Sequence, residues 1–302
     1  MKTVSSDHVV HQFSRFSAPC LEIDPGDVVT FETLDARSNR FRTVEDALTL
    51  QAPREQANPA TGPVFVRGAE PGDSLVVAIQ EIRLGPVGYN RILPGRGVPV
   101  EGLHAPRANI VTVRNGIVYF DERIQFPARP MIGVIGTAPA GEPVLTFYPG
   151  PHGGNLDVNQ AREGAQVYLP VAVPGALLCI GDVHASMGDG ELTGGGVEVP
   201  AQVIVRVNVL KGRTWPRPWI ETPEAWVTIG HGRTLEEAVR LATGDMTNLL
   251  AETPVGVDIS REEAFQLIGA RGDMHLGQAA QMDFDMTAYL VMPKIFTLAK
   301  AP

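Results

Sequence analysis

Two glycine-rich stretches hold most of the groups in this chain that could do chemistry. The first runs Pro149-Gly150-Pro151-His152-Gly153-Gly154-Asn155-Leu156-Asp157. The second runs Gly181-Asp182-Val183-His184-Ala185 and on to Gly188-Asp189-Gly190-Glu191. Between Arg162 and Arg206 there is no Lys or Arg, yet Glu163, Asp182, Asp189, Glu191 and Glu198 all fall there. Carboxylates gathered without cations repel one another, which raises a pKa or invites a metal ion. Asp182 and His184 are two apart at the end of an apolar run, so on a strand they share a face with Ile180 and Leu178. A histidine beside several oxygen donors suits zinc or another divalent cation. Glycines on both sides let the backbone turn tightly and approach a small ligand.

Each piece also has a plainer use. Gly-Asp-Gly-Glu alone suits a solvated hairpin, His152 an exposed loop, and Asn155 and Asp157 turns that bond their own backbone. Two such loops close together in sequence, each with His, Asp and several Gly, favour a shared site. The chain lacks HExxH, a P-loop, a GxSxG elbow and a GxGxxG after a strand. Cys179 lies in an apolar run and reads as core, because a reactive thiol needs an electropositive, accessible setting. Ser186, near His184, has no oriented base or third partner in sequence. His275 is an outlying candidate.

The elements that must position these loops are punctuated by Pro-Gly turns. Pro25-Gly26 precedes Val28 to Phe31, Pro71-Gly72 precedes Ser74 to Ile79, and Pro174-Gly175 precedes Ala176 to Ile180. Pro then Gly fits the centre of a type II turn, and the β-branched residues that follow favour strands. Further strands are expected over 110–120, 143–148, 165–171 and 199–210. After Trp215-Pro216-Arg217-Pro218-Trp219 the pattern changes. Thr234 with Glu237 and Ser260 with Glu263 form capping boxes ahead of apolar residues at helical spacing, and a closing strand is expected over 285–292. The expected fold is mainly β, with a sandwich- or barrel-like body over 1–220 and a smaller α/β subdomain over 221–302.

Composition narrows the function classes. With 32 Gly and 25 Pro among 302 residues, the chain is well above the roughly 12% usual for these two types, which disfavours a helical bundle. A hydrophobic share of 44% supplies a substantial core. The formal net charge of −9 argues against nucleic-acid or anionic-membrane partners, which need clustered Lys and Arg. The longest apolar stretch, Val167 to Ile180, is interrupted by Pro170 and Pro174 and is too short to span a bilayer. Residues 1–15 lack the apolar core of a signal peptide, so the expected compartment is the cytoplasm. Cys20 and Cys179 match no CxxC spacing and read as reduced thiols.

Several segments, in order, resemble the acetamidase/formamidase family. They are the two glycine-rich stretches, Glu198, Phe31-Glu32-Thr33-Leu34-Asp35-Ala36, Asn58-Pro59-Ala60-Thr61-Gly62-Pro63-Val64-Phe65-Val66, Gly68-Ala69-Glu70-Pro71-Gly72-Asp73, and Pro130-Met131-Ile132-Gly133-Val134-Ile135-Gly136. The sequence departs from the family pattern at Ser38-Asn39-Arg40 and at Thr193-Gly194-Gly195-Gly196. The resemblance implies hydrolysis of a small amide, of the formamide, acetamide or lactam type, with a bound divalent metal and a homo-oligomer. An unactivated amide needs a strong nucleophile and stabilised charge on its carbonyl oxygen, and a metal serves both needs. The expected metal-ligating residues are His184, Asp182, Asp157 and Asp35, holding Zn²⁺ or, as the alternative ion, Ca²⁺. Glu191, with His152 and Asp189, is expected to move protons or orient groups, and the Gly153 and Gly154 amides to hold the oxyanion. Two other readings stay open. One is a non-catalytic β module with a structural Ca²⁺ in its acidic loops. The other is a glycosidase pair of Asp189 and Glu198, which the low aromatic share of 6% disfavours.

Overall fold

Each of the three Pro-Gly segments closes as a tight turn. Asp27 N–H donates to the Asp24 carbonyl at 3.1 Å, Asp73 to Glu70 at 3.0 Å and Ala176 to Val173 at 3.0 Å. Gly26, Gly72 and Gly175 take positive φ, as the third position of a type II turn requires. The computed structural model describes residues 2–294 other than 52, 104, 253–258 and 280–284. It is mainly β, as the turn density and β-branched runs imply.

Two large open sheets hold all but two of the strands among the described residues. In the nine-stranded sheet, Ala201–Leu210 lies between Val28–Thr33 and Ser74–Leu84, antiparallel to both. Beyond Ser74–Leu84 the order continues through Gln166–Pro170, Trp219–Glu221, Ala225–Gly232, Met286–Pro293 and Asp273–Leu276. The twelve-stranded sheet is centred on Leu178–Ser186. That strand pairs with Met131–Gly136 on one side and with Ala60–Val66 and Val197–Glu198 on the other. Neither sheet closes into a barrel among the described residues. Phe31, Val77 and Val203 of the first sheet and Val64, Ile132 and Ile180 of the second belong to one buried apolar cluster, so the sheets share a core. Leu178–Ser186 is buried along nearly its whole length, which explains why it reads as a continuous apolar run rather than an alternating one.

The C-terminal helices start where their capping boxes place them. Ser260 Oγ accepts from the Glu263 N–H at 3.2 Å while Glu263 reaches back to Ser260 N–H, and helix Arg261–Arg271 follows. Helix Leu235–Glu252 runs unbroken through Gly244 and lays Ala242, Met246, Leu249 and Leu250 on Trp219, Trp226 and Leu290. The strands of this region extend the nine-stranded sheet, and its helices carry an apolar cluster of their own.

Three elements differ from the sequence expectation. The run 110–120 is a hairpin of Arg107–Arg114 and Ile117–Tyr119, because Asn115 and Gly116 both take positive φ and form a two-residue turn. In 143–148 only Val144–Leu145 is strand, since Tyr148 N–H turns back to the Leu145 carbonyl. A short helix, Val44–Thr49, stands where none was expected; its capping box uses Asp46 in place of Glu or Gln. Cys20 and Cys179 are both free. No helix among the described residues is long and apolar enough to cross a membrane.

Candidate active site

Strand pairing brings His184 to its neighbours. His184 on Leu178–Ser186 lies directly opposite Glu198 on Val197–Glu198, and its Nε2 is 3.2 Å from Glu198 Oε2. Asp182, two residues back on the same strand, places Oδ1 3.6 Å from the same nitrogen. Across the other edge, Met131–Gly136 passes with glycine at position 133. A β-carbon there would sit 2.6 Å from Asp157 Oδ1 and 3.0 Å from Asp182 Oδ2. The missing side chain therefore makes the room in which two carboxylates meet. On the opposite side of the ring, a β-carbon on Gly196 would lie 2.8 Å from His184 Nδ1, so that glycine lets the loop cross the imidazole.

Asn58 fixes the remaining oxygen of Asp182. Its Nδ2 donates to Asp182 Oδ2 at 2.8 Å and stands 3.3 Å from Asn155 Oδ1. Asn58, Asp157, Asp182 and Glu191 all hold left-handed backbone conformations, with φ of 49°, 48°, 52° and 45°. Such conformations are costly for residues other than glycine and concentrate where a site must aim its side chains. The loop that carries Glu191 is pinned from the C-terminal region: Gly190 N–H donates to the Leu276 carbonyl, and Ala279 N–H to Gly190. Gln278 Nε2 reaches the Asn155 carbonyl at 3.0 Å.

Five ionisable side chains thus converge: Asp157, Asp182, His184, Glu191 and Glu198, all buried. They form two overlapping sets, Asp157–His184–Glu191 and Asp182–His184–Glu198, whose donor atoms lie within 4.8 Å of one another and share the histidine. Both Asp157 oxygens, Asp182 Oδ1, Glu198 Oε2 and both His184 nitrogens have no hydrogen-bond partner. Buried polar atoms in native proteins are almost always satisfied, so orphans converging on one point mark a place built for another group. One imidazole and several carboxylates are a donor set suited to a divalent cation. The titration behaviour is that of a cluster short of positive charge. Burial, reinforced by Asp182 and Glu198, pushes the Asp157 carboxyl up to about 8. Burial and Asp157 raise Glu191 well above the usual carboxylate range, and burial raises Glu198 as well. Burial opposes the charge on His184, but Glu198 and Asp182 outweigh it and lift the imidazole well above its ordinary value.

Of the remaining residues singled out in the sequence, six lie outside this convergence. Asp35 is buried nearby, but its Oδ1 accepts the N–H groups of Arg37 and Asn39, both at 2.8 Å, so it shapes its own loop. His152 sits edge-on to Phe13 at 4.9 Å with Nε2 unpartnered, and burial brings its imidazole down to about 4. Asp189 faces away, accepting from Tyr289, from Asn159 at 2.7 Å and from His275 at 2.9 Å. Burial works against its charge, yet those bonds hold its carboxyl below the usual value. His275, the outlying candidate, is accounted for by that pairing. Gly153 and Gly154 form a strand against Met131–Gly136, where side chains would strike the Ile135 and Tyr148 carbonyls. The convergence opens into a narrow cleft of about 40 Å³ whose lining includes Asp182, Glu191, Glu198, Asn58 and Asn155. Sequence reading gave Asn58, Gly133 and Gly196 no role at the site, because each acts through a close approach between segments remote in the chain.

The chain joins a mainly β scaffold to a buried carboxylate–histidine cluster beside a cleft. The Acetamidase/Formamidase family model matches residues 7–147 and 140–225, and the chain belongs to that family. The crystal structure of an acetamidase from Bacillus halodurans is 37% identical, with a TM-score of 0.91 over 96% of this chain and 97% of that one. A predicted acetamidase/formamidase from the thermophile Thermoanaerobacter tengcongensis is also 37% identical, with a TM-score of 0.90 over 97% of this chain and 95% of that one. The formamidase of Methylophilus methylotrophus is 25% identical over 247 residues, which cover 63% of this chain and 61% of that protein.

Proposed function

We propose that this chain hydrolyses the C–N bond of small amides at the Asp157–Asp182–His184–Glu191–Glu198 cluster. Water and the amide yield a carboxylate and ammonia, or an amine when the nitrogen is substituted or part of a lactam ring. The observation that carries the reading is the convergence of unpartnered buried donors on His184 at the foot of an open cleft. Family membership supports the reaction class.

Asp182, His184 and Glu198 are the assigned holders of a divalent cation, with Asp157 beside them. Their contacts around Nε2 are the tightest in the cluster, and Asn58 leaves Asp182 Oδ1 free to turn inward. A nitrogen donor among the oxygens favours zinc or a similar ion over calcium. Such an ion, when bound, polarises a carbonyl and makes water a stronger nucleophile at neutral pH. Glu191 lines the cleft as well as the cluster, and burial beside Asp157 holds its carboxyl well above the usual carboxylate range, which suits a group that carries protons. It takes a proton from the attacking water and delivers it to the amide nitrogen as the C–N bond breaks. Asp157 turns both oxygens into the cluster beside His184.

The test is ammonia release from formamide, acetamide and longer primary amides, together with ring opening of short lactams. Turnover of at least one of them, lost in Glu191→Gln with the fold and bound cation retained, supports the assignment. Full cation binding with no turnover of any amide would favour a structural cation site instead.

A further inference from the structure

The cleft that the acidic residues line also carries cations. Arg37, Arg91 and Arg96 line it together with the Gly194–Gly196 loop. Arg37 is only 7% exposed, and no carboxylate pairs with it or with Arg91 among the described residues. An arginine with so little exposure and no ion pair, set in the lining of a cleft, is placed to meet an anion there. The acids that share the cleft do not serve this purpose: Glu198 is turned to His184 and to the Gly196 N–H, and Asp182 to Asn58 and His184.

Both arginines are held from behind. For Arg37 it is the main chain that is held: its backbone N–H donates to Asp35 Oδ1, and the loop turns through Ser38 and Asn39 at φ of 58° and 54°. Arg91 donates Nη1 to the Ala47 carbonyl at 2.6 Å and lies 4.5 Å over the Phe41 ring. That carbonyl belongs to the capped helix Val44–Thr49. Burial, with Arg37 and Arg96 beside it, brings the Arg91 guanidinium down to about 10, so it remains charged at neutral pH. Two guanidinium groups lining one cleft, Arg91 braced through its side chain and Arg37 carried on a fixed backbone, match the planar, bidentate needs of a carboxylate.

We propose that the cleft selects amides that also carry a carboxylate, the monoamides of short dicarboxylic acids, with Arg37 and Arg91 binding the carboxylate while the amide lies against the acidic cluster. The inference rests on the amidase reading above and names its substrate class. The reaction is unchanged: water replaces the amide nitrogen, and a dicarboxylate and ammonia leave.

Ammonia release is compared for the monoamides of malonic, succinic and glutaric acid and for neutral amides of matching chain length. The expected result is a kcat/KM at least roughly tenfold higher for one of the acid amides, falling roughly tenfold or more in Arg37→Gln and Arg91→Gln, with neutral amides little changed. Added salt should raise KM for the acid amides alone. Equal losses on both substrate classes would assign the arginines to the reacting carbonyl and overturn the proposal, as would a preference for neutral amides. Calorimetric binding of succinate and glutarate, which needs no turnover, separates two failures. Dicarboxylate binding that Arg37→Gln leaves unchanged removes the anion subsite. Ammonia from no amide, with that binding intact in the parent protein, removes the amidase reading and the substrate class with it.

Discussion

At the scale of single residues, His184 organises the site and its partners differ in how visible they are in sequence. Asp182 is readable, because residues two apart on a strand face the same way and the pair ends an apolar run. Glu198 is not, since its place opposite His184 depends on a register that spacing does not reveal. Asn58 lies 124 positions from Asp182, and only the folded chain brings its amide there. Outer hydrogen bonds of this kind orient a ligating group and typically govern its affinity. Asn58→Ala should therefore weaken zinc binding by about ten- to a hundredfold, read by competition with a chromogenic chelator. Wild-type affinity in that variant would show that Asp182 needs no such support. His152 permits a prediction of opposite character. Its folded-state value of about 4 lies below the 6.5 of the exposed group, so the fold favours the neutral ring. The resulting stability is complete above about pH 6.5 and is lost as pH falls toward 4, by about 3 kcal/mol in all. Urea unfolding across that window should show the loss in the parent protein and a flatter profile in His152→Gln. Parallel profiles would mean that His152 is protonated at no cost.

At the scale of elements, the site is made by strands that come close enough only because glycines let them. The Pro-Gly turns and both C-terminal capping boxes are readable because each is a local device written in adjacent residues. Gly133 looks ordinary in sequence, yet its missing side chain is the space shared by Asp157 and Asp182. Its backbone is not in the left-handed region, so an alanine there meets a steric obstacle and not a conformational one. Gly133→Ala should destabilise the fold by about 1–3 kcal/mol, as overpacked cores do, and reduce bound zinc and turnover together. Full zinc content by elemental analysis with normal activity would show that the two carboxylates have slack. The hairpin at 115–116 carries a related lesson. Asn-Gly is a strong local turn signal, and reading 110–120 as one strand passed over it. The short helix before residue 50 escaped because a box closed by Asp46 departs from the usual spacing partner.

At the scale of the whole molecule, the site draws on segments from one end of the chain to the other. Asn58 enters from the N-terminal third, Asp157 and Glu191 from loops, and Gln278 from the C-terminal region. The mainly β class is legible from turn density and β-branched runs. The way two sheets share a core is not, because it depends on pairings between distant strands. A cation held where so many segments meet should stabilise the chain as a unit. At a free concentration a hundred times its Kd, zinc should add about 2.7 kcal/mol and raise the thermal midpoint cooperatively, read by calorimetry. An unchanged midpoint would place the bound ion elsewhere. The central claim is that the His184 cluster, loaded with a divalent cation, is the amide-cleaving centre. The most direct measurement is ammonia release by protein stripped with a chelator, verified metal-free, and then titrated with zinc. The stripped protein should release none, and release should recover and saturate as zinc reaches the concentration of chains. Undiminished release from protein shown to be metal-free would contradict the central claim.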